Sequence, residues 1–275
     1  MAHLESAGGG GATSAVDPRL TRRPDEGREG GGWSSVLVIA CILLAWEAVV
    51  RLDLLPRFYF PPPSSIARGV VDLARSGQLA EHGRATLYRL TIGLVVGGTL
   101  GVMAGVAMGR SRAFRRVADP IVSALYPIPK IAILPLVMVF LGIGDASKVF
   151  VIAIAAFFPL LISSLAGVSQ IPDIYFEVAS NYGTGRLGLF KRVILPASMP
   201  TVLAGLRIAL NSAIHVTIAV EVVSAVRGLG ALVWLSWEIL RIEQLYATLT
   251  VIAALGILST WGIDRLTRRL VPWRP

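Results

Sequence analysis

The apolar residues of this chain come in long blocks, most of them nearly free of charge, and nothing else in the sequence constrains the fold as strongly. A hydrocarbon core about 30 Å thick is crossed by roughly 20 helical residues. Hydropathy marks six segments of that kind. They run at about Ser34 to Val50, Ala85 to Met108, Val117 to Leu141, Lys148 to Val168, Met199 to Val223 and Leu245 to Leu266. Composition agrees: 54% of the 275 residues are hydrophobic, 16% are charged, and the mean hydropathy is +0.68. That leaves too few charges to make a polar shell over so much apolar sequence. The expected fold is all-α and integral to a membrane, with about six transmembrane helices.

The formal net charge is +9. In a soluble protein this would raise nucleic acid as a partner. In a polytopic protein, Lys and Arg instead collect in the cytoplasmic loops and orient the chain, and no nucleic acid is expected. With the N-terminus inside, the inner segments hold Arg19, Arg22, Arg23 and Arg28, then Arg110, Arg112, Arg115 and Arg116, then Arg186, Lys191 and Arg192, then Arg265, Arg268, Arg269 and Arg274. The outer segments hold Arg51, Arg57, Arg68, Arg75, Arg84, Lys148, Arg227 and Arg241, spread over longer loops. Both termini are therefore expected in the cytoplasm.

Residues 1–32 read differently from the rest. They carry Gly8 to Gly11, Gly30 to Gly32 and four arginines, with almost no large apolar side chains. Such a stretch cannot bury enough surface to offset its ordering entropy, so a disordered cytoplasmic tail is expected. Residues 33–84 are read as the first span plus an outer segment, and 85–275 as the core of the membrane domain. The first span lacks a small-residue cleavage site at its end, where Glu47 and Arg51 stand, and reads as an uncleaved helix. After Pro61-Pro62-Pro63, Ser64 to Arg75 has the pattern of an amphipathic helix lying on the outer face. The one cysteine, Cys41, permits no disulfide within the chain and no thiolate metal cluster.

In the second span Gly93, Gly97, Gly101, Gly105 and Gly109 recur at every fourth residue. On a helix they form one nearly straight groove that lets another backbone approach closely. Plain helix packing and a face that slides during transport both fit this pattern. The third span contains Pro120, Pro127, Pro129 and Pro135, and the fourth contains Pro159. Proline removes a donor and kinks a helix, and a broken membrane helix survives where protein or a water-filled cavity covers the freed groups. The third span therefore has the character of a helix that lines a path.

The stretch Ile171 to Pro200 is too polar to span. It reads as a helix-turn-helix, with Pro172-Asp173 at its start, Asp173 as N-cap and Gly183 at a left-handed C-cap. It presents Ile174, Tyr175, Phe176, Tyr182, Leu189 and Phe190. An apolar patch on such a loop fits a docking surface, and it equally fits a loop packed on its own bundle.

Glu177-Val178-Ala179, three residues, Gly183, nine residues, Val193, one residue and Leu195-Pro196 resemble the "EAA" loop of bacterial ABC importer permeases. The family pattern is Glu-Ala-Ala, three residues, Gly, nine residues, Ile, one residue, Leu-Pro. The departures are Val178 and Val193, both conservative. Other stretches are similar to the nitrate/sulfonate/taurine/bicarbonate-type branch. They are Thr86-Leu87-Tyr88-Arg89, Tyr126 through Leu136, Leu141-Gly142-Ile143-Gly144-Asp145 with Ser147-Lys148, Gly205-Leu206-Arg207, Glu221, and Gly228-Leu229-Gly230. The resemblance runs from about Leu55 to the C-terminus.

The resemblance implies a type I ABC importer permease fold in a bacterial-type plasma membrane. The loop 171–196 would be the coupling helix-turn-helix, with Glu177, Ala179, Gly183, Leu195 and Pro196 as its residues. It would engage a cytoplasmic ATP-binding subunit that holds ATP and Mg. A second permease copy, making a homodimer, and an external solute-binding protein complete the expected assembly. The cargo would be a small anion such as a sulfonate, nitrate, bicarbonate or organic acid. The chain itself shows no G-x-x-x-x-G-K-[ST] loop and no His/Cys/carboxylate cluster, so neither an enzyme nor a metal site is expected.

Ionisable groups at membrane depth are costly and usually face the protein interior. Lys130, Arg207, His215 and Glu221 are therefore candidates for the translocation path. Structural roles stay open beside that one: pairing for Arg207, a hydrogen bond to a neighbouring helix for His215, and an ion pair with Arg227 for Glu221. A secondary transporter or channel working without an ATPase is the competing reading. It would explain the broken span and the intramembrane charges but not the pattern of the loop.

Overall fold

In the computed structural model, which describes residues 31–272, every regular element among the described residues is helical. The expected tail, residues 1–32, lies outside the described residues except for its last two. The chain forms α1 (Gly31–Arg51), α2 (Pro63–Arg75), α3 (Gln78–Arg110), α4 (Arg112–Leu125), a 3-10 turn (Lys130–Ile133) and α5 (Leu134–Leu141). It continues as α6 (Asp145–Ser169), α7 (Asp173–Asn181), α8 (Arg186–Leu189), a π turn (Phe190–Ile194), α9 (Leu195–Ser224), α10 (Leu229–Glu238) and α11 (Ile242–Leu270).

Among the described residues, four helical runs are long and apolar enough to cross a membrane: α3, α6, the run Arg186–Ser224 and α11. The third expected span is a broken passage, α4 followed by Lys130–Leu141, bent by 90°. Its prolines explain the break. Pro127 and Pro129 lie between the two arms, while Pro135 sits in the first turn of α5, where a missing N–H costs no hydrogen bond. With the 21 residues of α1, each of the six expected spans has a helix. The ends differ from expectation mainly at the second span, which starts at Gln78, and at the fifth, which runs back to Arg186. The apolar helix α10 matches no expected element.

Packing centres on α3 and α6. A Cβ placed on Gly93 would meet Ile152, on Gly97 the backbone of Ala153, on Gly101 that of Phe157, on Gly105 that of Leu161, and on Gly109 Val168. The numbers rise together, so the two helices run parallel with their backbones touching along the glycine groove. Lipid tails are as apolar as leucine, so close van der Waals approach replaces the hydrophobic effect as the main adhesive between membrane helices. Helix α9 crosses α6 in the opposite sense: Gly167 abuts Ser198 and Thr201, while Gly205 abuts Ser163. Leu90, Ile152, Leu160, Ala209, Leu210 and Ala213 lie at the common core.

Two peripheral helices clasp this core. Glu47 of α1 accepts from the Ser64 N–H (3.0 Å) and hydroxyl (2.8 Å), which ties α1 to the start of α2. Amphipathic α2 packs Leu73 with Leu232 of α10 and Ala247 of α11. Trp46 of α1 meets Tyr246 of α11 edge-on, with ring centroids 6.1 Å apart. The remaining large side chains of α1, such as Leu37 and Leu44, are exposed on the protein, as lipid-facing residues are.

Candidate functional site

The EAA-like loop folds as α7, a left-handed stop, and α8. Asp173 is not the N-cap. Pro172 takes that place in an extended conformation and leaves Asp173 inside the first turn, where a carboxylate still complements the helix dipole. At the other end Gly183 adopts φ 67°. The Gly183 N–H donates to Ser180 (2.9 Å) and the Thr184 N–H to Ala179 (3.0 Å), which together make a Schellman motif. Ala179 is buried, while Glu177, Ile174, Tyr175 and Tyr182 are exposed. The Arg110 guanidinium at the end of α3 lies 5.5 Å over the Phe176 ring and holds α7 beneath the bundle.

Leu195-Pro196 marks the change from π turn to α-helix. The Leu195 N–H donates to the Phe190 carbonyl five residues back. Pro196 has no N–H, and its ring would collide with a carbonyl four residues earlier in a regular helix. A widened turn just ahead of it relieves that conflict. The loop is thereby joined to α9 as one helical run, from Arg186 to Ser224.

The four charged or polar residues proposed within the spans do not converge. Lys130 stands at the break of the third passage. Its ammonium donates to the Tyr126 carbonyl and lies 5.0 Å from the centroids of both Tyr126 and Phe158. No carboxylate among the described residues is within ion-pair distance of it. Arg207 pairs with Asp264 of α11 at 3.4 Å, both about half exposed. His215 and Asp264 line an open groove of about 760 Å³ between α9 and α11, with Asn211, Thr260 and Trp261.

Glu221 is the exception. Its side chain is fully enclosed, and its cation is Arg89 rather than Arg227. The Arg227 guanidinium pairs instead with Glu81 at 3.0 Å. Arg89 donates through Nη1 to Glu221 (2.7 Å) and to the Arg227 carbonyl (2.6 Å), and through Nε to Asp145 (2.7 Å). The Thr86 hydroxyl donates to Glu221 (2.9 Å) and accepts from the Leu229 N–H (2.8 Å). The Gly230 N–H also donates to Glu221 (3.0 Å). His82 Nδ1 lies 2.9 Å from the Gly228 carbonyl and 3.2 Å from its N–H. Gly228 has φ 136°, and a Cβ there would strike the Glu221 carboxylate, so no other residue fits.

This cluster joins α3, α6, α9 and the turn into α10 at the end of the bundle opposite α7. Sequence reasoning placed Arg89 in the second span, within a stretch similar to the permease branch, and gave it no partner. A signal was available, because Arg89 and Glu221 are opposite charges near the same edge of two different spans.

Comparison with known proteins bears on the whole chain. The pattern of the family described as "Binding-protein-dependent transport system inner membrane component" matches residues 97–273. The taurine transport system permease protein of Escherichia coli (strain K12) is 34% identical over 244 residues, covering 87% of this chain and 89% of that one. A candidate aliphatic sulfonates transport permease protein of Bacillus subtilis (strain 168) is 29% identical over 275 residues, covering 100% and 98%. The fold is similar to a chain of the MetNI methionine ABC transporter in an inward-facing conformation. The TM-score is 0.63 at 20% identity, with 72% of this chain and 98% of that one covered.

Proposed function

Because the chain belongs to the family of binding-protein-dependent transport system inner membrane components, and is thus a transport permease rather than an enzyme, we propose that it carries a small sulfonate-class anion inward under the control of a cytoplasmic ATPase. The observation that carries the ATPase half of this reading is the loop Asp173–Pro196. Its Schellman stop, buried Ala179 and exposed Glu177, Tyr175 and Tyr182 build a rigid knob at one end of the bundle. The π turn joins that knob directly to α9. Movement of the knob by a partner would then reach the groove beside His215 without passing through a flexible linker.

The ATPase holds ATP and Mg, an external binding protein delivers the solute, and a second copy of this chain supplies the other wall of the path. Both termini lie on the ATPase side. The substrate class rests on the relatives named for taurine and aliphatic sulfonates. Lys130, half-buried between two aromatic rings and without a carboxylate among the described residues, fits a passing anion better than Arg207, which Asp264 already neutralises.

The test is a pull-down in mild detergent from native membranes, comparing wild type with Glu177→Arg and Gly183→Trp. An ATP-binding protein that accompanies the wild type and is lost with both variants supports the coupling role. If no ATPase accompanies any form while sulfonate uptake persists, the chain works as a secondary transporter.

A further inference from the structure

We propose that the Arg112, Arg115 and Arg116 face of α4 binds the phosphate headgroup of an anionic phospholipid. At 100° per residue, Arg112, Arg115, Arg116 and Asp119 fall on one side of α4, and Phe114, Val117, Ile121 and Leu125 on the other. None of the fourteen residues of α4 is buried. The three arginines, Asp119 and Pro120 line one open groove of about 490 Å³. No ion pair among the described residues joins Asp119 to any of them, so the groove carries uncompensated positive charge.

The depth of this face follows from α3. Its 33 residues extend about 50 Å, well beyond a hydrocarbon core of about 30 Å. The charge-free run of α3 ends at Gly109, so the turn at Ser111 leaves the arginines at headgroup level, and Arg110 marks that level again by its contact with Phe176. Guanidinium groups donate in pairs to phosphate oxygens, and basic clusters beside membrane helices attract anionic lipid. A second copy of this chain does not fit the same face, because a two-fold contact would set arginines against arginines.

The experiment uses the full-length chain extracted in mild detergent, with bound lipid counted by native mass spectrometry after titration with phosphatidylglycerol or phosphatidylcholine. Wild type is expected to retain phosphatidylglycerol preferentially. Each of Arg112→Gln, Arg115→Gln and Arg116→Gln should weaken that retention by about fivefold. The triple Lys replacement should keep most of it, and Asp119→Asn, which removes no contact from the fold, should strengthen it. Equal retention of both lipids by wild type overturns the proposal. So does a folded triple Gln variant that holds phosphatidylglycerol as wild type does, or, should that variant not fold, an Asp119→Asn protein with no gain. An ATP-binding protein lost from the triple Gln variant while lipid retention stays constant also overturns it, in favour of a protein contact.

Discussion

Arg89 and Glu221 meet at 2.7 Å, with 6% and 0% of their side chains exposed, and every other polar contact of the pair goes to the Asp145 carboxylate, the Thr86 hydroxyl or the backbone of Arg227 and Gly230. The pair thus closes the end of the bundle opposite α7. An ion pair this deep gains from its Coulomb attraction only what desolvation leaves, but the loss of one member strands the other.

Arg89→Leu or Glu221→Leu should therefore each destabilise the fold by about 3–5 kcal/mol, and the double replacement should cost less than the two together. Thermal unfolding in detergent, followed by helical circular dichroism, measures this. Single variants that melt with wild type would remove the pair from any role in holding the bundle.

The glycine groove gives a second prediction. Gly97→Ala puts a methyl group onto the Ala153 backbone, with no flexible side chain to yield, and should cost about 1–3 kcal/mol as α3 and α6 part. Gly83→Ala on the same helix meets nothing within 4 Å and should be neutral or slightly stabilising. Melting temperatures that rank the two variants alike would mean that the helices separate freely.

At Gly183 the backbone alone is at stake, since a Cβ there meets nothing within 4 Å. With φ at 67°, Gly183→Val should cost about 1–2 kcal/mol and loosen the end of α7, whereas Gly183→Asn, which tolerates this conformation, should behave nearly as wild type. Amide hydrogen exchange at Tyr182 to Thr184 reads the difference directly. Equal protection in both variants would show that the Schellman stop does not depend on glycine.

The sequence carried the helical membrane fold because hydropathy reports length and lipid contact, which are local properties. The glycine spacing and the left-handed stop at Gly183 were legible for the same reason: each depends on a few neighbouring residues. The partner of Glu221 was not. Arg227 is close in sequence, yet Arg89 lies 132 positions away and wins because α3 and α9 run antiparallel, which brings the N-terminal part of one against the C-terminal end of the other. Asp173 was displaced as cap by Pro172 because proline was already fixed in the extended conformation that the cap requires. Helix α10 went unseen because its ten residues are too short for a span, although Leu229 and Leu232 are buried.

Lys130 is the residue on which the reading of an anionic path most depends. Its ammonium is anchored by the Tyr126 carbonyl and faces two rings, so Lys130→Met keeps the apolar stem while removing the charge. A charged hydrogen-bond donor to a bound anion is worth about 1.5–3 kcal/mol, so uptake of the proposed sulfonate-class anion, assayed with taurine as the probe, should fall at low concentration by about tenfold or more. Lys130→Arg should preserve most of it. The measurement is initial uptake into proteoliposomes holding the complete transporter, over a range of taurine concentrations. Loss confined to low concentrations marks a binding contribution, whereas equal loss at all concentrations marks damage to the break between α4 and α5. Full uptake by Lys130→Met at low taurine would move the search for a cation along the path to the groove beside His215.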